Sequence, residues 1–162
     1  MLIYLIGFMG SGKTTVGRKL AKKMGYKFLD TDQMIEEQTG FSVSEIFNLK
    51  GETYFREMEK LTLTQTLQYN NHIISTGGGM PCYYDNMQCM LDHGTVIYLK
   101  MSPNALYQRI VNSRKERPLF ANLTREQTQE RIASLLSERE KYYEKAHTKL
   151  DALSLDINSM VV

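Results

Sequence analysis

Gly7-Phe8-Met9-Gly10-Ser11-Gly12-Lys13-Thr14 follows the apolar run Leu2–Ile6 directly and opens a helical pattern. The spacing is G-x-x-x-x-G-K-T in a strand–turn–helix setting, where glycines let backbone N–H groups close on a polyphosphate at the positive end of a helix dipole. Lys13 is then placed to reach terminal phosphates, and the Thr14 hydroxyl to take a Mg²⁺ position. Asp30 and Asp32 lie two residues apart at the end of a second strand pattern, Lys27–Asp30. In extended chain both carboxylates would share a face, one holding Mg²⁺ through water and the other orienting or deprotonating a hydroxyl. The competing reading makes them N-cap aspartates of a following helix.

Two further groups suit an anionic, hydroxylated acceptor. Gly77-Gly78-Gly79 costs backbone entropy that a simple turn does not require, so it predicts close approach of backbone to a ligand. Arg56 and Arg139 come from different elements and can clamp one carboxylate with two guanidinium forks. Arg117, in a polar segment before Pro118, is placed to close over phosphates and offset charge that develops during transfer. Arg109, Arg114 and Lys115 are open alternatives on composition alone.

The elements that must carry these groups alternate strand and helix, which argues for a parallel sheet with helices on both faces. Strands are expected at Leu2–Ile6, Lys27–Asp30, His72–Ser75, Gly94–Leu99 and Leu153–Ile157. The first helix runs Thr14–Met24, with Gly25 as its cap. Ser42–Glu45 and Thr124–Gln127 are capping boxes that open a short helix toward Leu49 and a long one to about His147. Ser102-Pro103 starts a helix toward Val111. The helices between residues 31 and 70 have no strand among them, a place for a small substrate-binding insertion. Residues 112–123, with Arg114, Lys115, Glu116 and Arg117, form an exposed lid.

A chain of 162 residues with 42% hydrophobic and 23% charged residues fits one globular domain. Its 20 basic and 18 acidic residues give a formal charge of +2, which argues against a nucleic-acid or membrane partner recruited by bulk charge. The apolar runs are too short for a membrane span, and the N-terminus enters the phosphate loop with no room for a targeting segment. Cys82 and Cys89 are the only cysteines, and the three histidines are scattered, so no zinc site is expected. Two thiols without an export signal fit a cytoplasmic protein, expected to act as a monomer.

In series, these pieces resemble the shikimate kinase family, in the nucleoside-monophosphate-kinase-like group of P-loop proteins. The resemblance rests on Gly7–Gly17, Leu29-Asp30-Thr31-Asp32, Phe55-Arg56-Glu57 within F-R-x-x-E, Ser75–Gly79, Arg117-Pro118-Leu119, and Glu138-Arg139 with Tyr142 or Tyr143 following. It implies a three-layer α/β/α sandwich around a mostly parallel five-stranded sheet of the P-loop NTPase type, formed by one domain over residues 1–162. It also implies transfer of the γ-phosphate of ATP to the 3-hydroxyl of shikimate, in aromatic amino-acid biosynthesis. Carried over by position, Gly10, Ser11, Gly12, Lys13, Thr14 and Thr15 would cradle the phosphates. Thr14 would ligate Mg²⁺, with Asp30 near it through water. Asp32 would hold the shikimate hydroxyls and act as base. Arg56, Arg139 and the Gly77, Gly78, Gly79 backbone would bind shikimate. Arg117 would be the lid arginine and Arg109 would stack on adenine, with Asp156-Ile157-Asn158 as part of the adenine wall. Members of such families continue into a further helix where this chain reaches Val162. The rival readings are a gluconate or nucleoside-monophosphate kinase and a non-catalytic nucleotide-binding module.

Overall fold

The computed structural model describes residues 1–115 and 117–160. Glu116 of the expected lid, and the Val161-Val162 end from which a further helix would continue, lie outside the described residues. Five strands, β1 (Leu2–Ile6), β2 (Lys27–Asp30), β3 (His72–Ser75), β4 (Thr95–Lys100) and β5 (Thr148–Asp151), form one sheet in the order β2-β3-β1-β4-β5. Every pairing is parallel; Leu2 faces His72 on one side, and Ile3 faces Thr95 on the other. All carboxyl ends therefore lie along one edge, where an open parallel sheet offers a ligand crevice.

The central strand β1 is buried along its whole length, and its side chains alternate between two cores. Ile3 and Leu5 join Ile73, Ile97 and Leu99 beneath Leu20 and Ala21 of α1 (Lys13–Met24). Tyr4 and Ile6 join Ile74, Val96 and Tyr98 on the opposite face. That second face is covered from α5 (Asn86–His93), α6 (Pro103–Val111) and α7 (Arg125–Tyr143), with Leu63 of α4 (Glu52–Thr66). The result is the expected α/β/α sandwich. Each fully buried Ile or Leu contributes about 1.5–3 kcal/mol of transfer free energy, so β1 is firmly anchored before it enters the phosphate loop. At Gly17 an added Cβ would lie 2.5 Å from the Phe28 ring, so the glycine lets α1 pack close to the sheet.

Between β2 and β3 the chain forms α2 (Thr31–Thr39), α3 (Val43–Lys50) and α4 with no strand among them. These helices share a small core of Ile35, Ile46 and Phe55, separate from the two main cores. The Ser42 and Thr124 capping boxes both form, and Ser102 caps α6.

Three local expectations change. The last strand is Thr148–Asp151, and Leu153–Ile157 is not a strand. Helix α7 ends at Tyr143, short of His147, whose Nδ1 instead accepts the Val96 N–H at 3.0 Å. Asp32 is in the first turn of α2, so Asp30 and Asp32 do not share a strand face. Asp30 caps that helix, its Oδ1 accepting from the Asp32 and Gln33 amides.

Candidate functional site

The phosphate loop is shaped by three glycines of positive φ, Gly7 at 148°, Gly10 at 82° and Gly12 at 90°. A Cβ on Gly7 would also lie 2.7 Å from the Leu99 carbonyl oxygen, so that position requires glycine for space as well as conformation. Lys13, the first residue of α1, is buried and folds back on the loop, its Nζ donating to the carbonyls of Gly7 at 2.7 Å and Phe8 at 2.9 Å. Burial, then the nearby Arg117 guanidinium, lowers its pKa to about 7. The Thr14 hydroxyl donates to Asp30 Oδ2 at 3.0 Å. These paired oxygens suit a hard cation, with phosphate and water completing its shell. Among the described residues no cluster of three or more His, Cys, Asp or Glu forms a dedicated metal cage.

One cavity of about 380 Å³ opens along the carboxyl edge of the sheet. It brings together Gly10, Gly12, Lys13, Thr14 and Thr15 with Asp30, Asp32, Arg56, Gly77, Gly78, Gly79, Arg109, Arg117 and Arg139. Ser11 is outside this lining, as are Arg114 and the Asp156-Ile157-Asn158 segment expected beside adenine; Ser11 is buried in the loop, and its Oγ has no hydrogen-bond partner. Arg109 of α6 lies over the loop, its Nη1 3.3 Å from where a Cβ on Gly12 would be. Arg114 is exposed, whereas Lys115 joins the cavity wall.

Glu59, which the sequence reading leaves without a role, is fully buried and lines the same cavity as Asp32, Arg56 and the glycine loop. It follows Arg56 by one helical turn on α4, and the F-R-x-x-E spacing is the signal for it. Its Oε1 accepts from Arg56 Nη1 at 2.7 Å, while Oε2 is buried without a partner. Burial raises its pKa to about 7 against the opposing pull of Arg56. Burial, and next the Asp30 charge, raises the Asp32 pKa as well, and Asp32 Oδ1 is another buried acceptor without a partner.

The three glycines now have separate reasons, none of them positive φ. A Cβ on Gly77 would lie 2.7 Å from Glu59 Oε2 and 2.8 Å from Asp32 Oδ1. One on Gly78 would lie 3.2 Å from Arg139 Nη1, and one on Gly79 only 2.5 Å from Arg56 Nη1. The loop is bare because acids, guanidinium groups and, at Gly78, the phosphate-loop backbone (Met9 N, 3.1 Å from an added Cβ) press against it.

The two arginines expected to clamp a carboxylate differ in their remaining capacity. Arg56 is 4% exposed, gives hydrogen bonds to Glu59 and Glu52, and lies 4.4 Å from the Tyr83 ring centroid. Arg139 is also buried, but its Nη1 has no partner. Arg117 Nε is likewise buried without one, and burial lowers the Arg117 pKa. Phe47, Phe55 and Val43 of the helical insertion supply an apolar wall to the same cavity. Asp32, Glu59, Arg117 and Arg139 line one cavity, and buried donors and acceptors left unmatched are costly unless something polar completes them.

A triphosphate loop on the middle strand, facing a wall of acids and guanidinium groups across one cavity, is the arrangement of a P-loop small-molecule kinase. The family model described as shikimate kinase matches residues 9–161, and the chain belongs to that family. A curated shikimate kinase of Phocaeicola vulgatus is 40% identical over 144 residues, covering 89% of this chain and 82% of that protein. Another, from Parabacteroides distasonis, is 41% identical over 150 residues, covering 93% and 87%. The crystal structure of shikimate kinase from Bacteroides thetaiotaomicron superposes with a TM-score of 0.92 at 36% identity, over 98% of this chain and 93% of that one. That of the Acinetobacter baumannii enzyme in complex with shikimate gives 0.86 at 36% identity, over 93% and 82%. A gluconokinase from Sinorhizobium meliloti, at 14% identity and a TM-score of 0.57, shares the fold alone.

Proposed function

We propose that this protein transfers the γ-phosphoryl group of ATP to the 3-hydroxyl of shikimate, using Mg²⁺. The single observation that carries the reading is the shared cavity. Phosphate-loop groups and a carboxylate-and-hydroxyl binding set line the same space of about 380 Å³, in a member of the shikimate kinase family.

In this reading Gly10, Ser11, Gly12, Lys13, Thr14 and Thr15 hold the triphosphate. Lys13 exchanges two loop carbonyls for phosphate oxygens. Thr14 and Asp30 hold Mg²⁺, which when bound neutralises phosphate charge. Arg109 faces the adenine side. Arg139, whose Nη1 has no protein partner, takes the shikimate carboxylate together with Arg56. Asp32 Oδ1 and Glu59 Oε2 take ring hydroxyls, and Asp32 aims the attacking oxygen and accepts its proton. Lys13 and Arg117 gather on the transferring group, where positioning and charge neutralisation supply most of the acceleration.

The helices within residues 31–70 form the acceptor-binding part, and residues 112–123 form a lid that excludes water as a competing acceptor. The Phe47–Phe55 wall supports this assignment, since it gives the apolar face of a cyclic acid somewhere to lie. The reading extends to a cytoplasmic monomer. Cys82 and Cys89 are both unpaired, as a reducing compartment would keep them, and no described helix is long and apolar enough to cross a membrane.

The test is ADP release measured in a coupled assay with ATP and Mg²⁺, offering shikimate, gluconate or a nucleoside monophosphate as acceptor. Release dependent on shikimate alone is expected. Preference for another acceptor, or nucleotide binding without turnover, would replace the reading with one of its rivals.

A further inference from the structure

Tyr143 is fully buried in the last turn of α7, tilted against the Tyr98 ring with centroids 5.0 Å apart. Its hydroxyl donates to the Gly78 carbonyl at 2.5 Å, across 65 residues of chain. Arg139 lies one turn earlier on the same helix and so on the same face. Its Nη1 packs 3.2 Å from where a Cβ on Gly78 would be. Gly78 is thus held by α7 at two points, through its carbonyl by Tyr143 and through its bare Cα by Arg139.

The consequence concerns the neighbouring amides. No cis peptide bond is present among the described residues, so the Gly79 N–H lies on the opposite edge of the peptide plane from the Gly78 carbonyl. Fixing that carbonyl toward α7 turns the Gly79 N–H away from α7. Among the described residues neither the Gly78 nor the Gly79 amide donates to another protein group, and both glycines line the cavity.

We propose that Tyr143 is a positioning residue for the acceptor: its hydroxyl fixes the glycine loop against the helix that carries Arg139, so loop amides and guanidinium present themselves to shikimate at one set spacing. Tyr143 does not line the cavity and acts through Gly78 and Arg139. The inference rests on the shikimate-kinase reading above.

The experiment compares Tyr143→Phe with Tyr98→Phe and the parent, measuring KM for shikimate, KM for ATP, kcat and thermal midpoint. Tyr143→Phe keeps the ring and deletes one hydrogen bond. The expected result is a shikimate KM raised about threefold to tenfold, the scale of one net hydrogen bond. KM for ATP should stay within about twofold of the parent, because the lost bond is to the Gly78 carbonyl, whereas Gly78 meets the phosphate loop on its Cα side, where an added Cβ would lie 3.1 Å from Met9 N. Tyr98→Phe alters the same aromatic pair but not the bond to Gly78, and is expected to leave both constants unchanged.

An unchanged shikimate KM in Tyr143→Phe would overturn the proposal. So would a parallel rise in both constants, an equal effect of Tyr98→Phe, or a Tyr143→Phe chain that does not fold. A parent protein that fails to phosphorylate shikimate would refute the functional reading itself, a result visible before any variant is compared.

Discussion

Lys13 shows how burial tunes a single group for the phosphate role proposed for it. With its pKa lowered to about 7, it is about half charged at neutral pH in the nucleotide-free protein. A triphosphate favours the charged form, so binding above that pKa must take up a proton. ATP titrated by calorimetry at about pH 8, in buffers of different ionisation enthalpy, is expected to report uptake of close to one proton. Uptake should shrink toward zero below about pH 6 and vanish in Lys13→Met; binding without uptake at the higher pH would contradict the assignment. Asp32 is tuned in the opposite sense, its pKa raised by burial and by Asp30, which suits a group that accepts a hydroxyl proton during transfer. Asp32→Asn is expected to lower kcat by about 10²–10⁴ while nucleotide affinity stays within about twofold of the parent. Near-parental turnover would remove Asp32 from the chemistry.

The glycine loop after β3 couples the helical insertion to α7, because Asp32 and Glu59 press on Gly77, Arg139 on Gly78 and Arg56 on Gly79. Gly79 has φ −89°, open to any residue, so Gly79→Ala carries no backbone strain and tests space alone. Its methyl would displace the Arg56 guanidinium, and we expect shikimate KM to rise about tenfold or more with nucleotide affinity preserved, measured by steady-state kinetics and calorimetry. An unaffected KM would show that Arg56 does not need its present place. Much of this arrangement was legible in the residues. The buried strands Leu2–Ile6 and His72–Ser75, the Ser42 and Thr124 capping boxes and the phosphate loop all announce themselves locally. Strand β5 did not, because Thr148–Asp151 is short, polar and largely exposed at the sheet edge, and only its pairing with Ile97–Lys100 makes it a strand. Helix α5 was equally silent, since Asp85 makes no side-chain cap to mark its start. Glu59 escaped for a related reason: an acid three residues after an arginine is an ordinary helix pair until tertiary packing buries both.

At the scale of the whole molecule, the sheet order distributes the two reactants. The phosphate loop leaves the middle strand, while Asp30 and the glycine loop leave β2 and β3 on one side of it. Asp32, Arg56 and Glu59, proposed for the acceptor, come from the chain between β2 and β3, whereas Arg109 on α6 and Arg139 on α7 come from the chain after β4. In the proposed reading transfer takes place where these halves meet, in the cavity that Lys13 and Arg117 both line. Because so little covalent chemistry is asked of the protein, the outcome depends on both halves being filled together. The most direct measurement is ³¹P NMR of the protein incubated with ATP, Mg²⁺ and shikimate, beside a sample lacking shikimate. The account predicts loss of the γ-phosphate resonance with matching growth of ADP and one new phosphate-monoester signal from the 3-phosphate, in the complete mixture alone. Inorganic phosphate appearing equally in both samples, or an ATP spectrum unchanged in both, would contradict it.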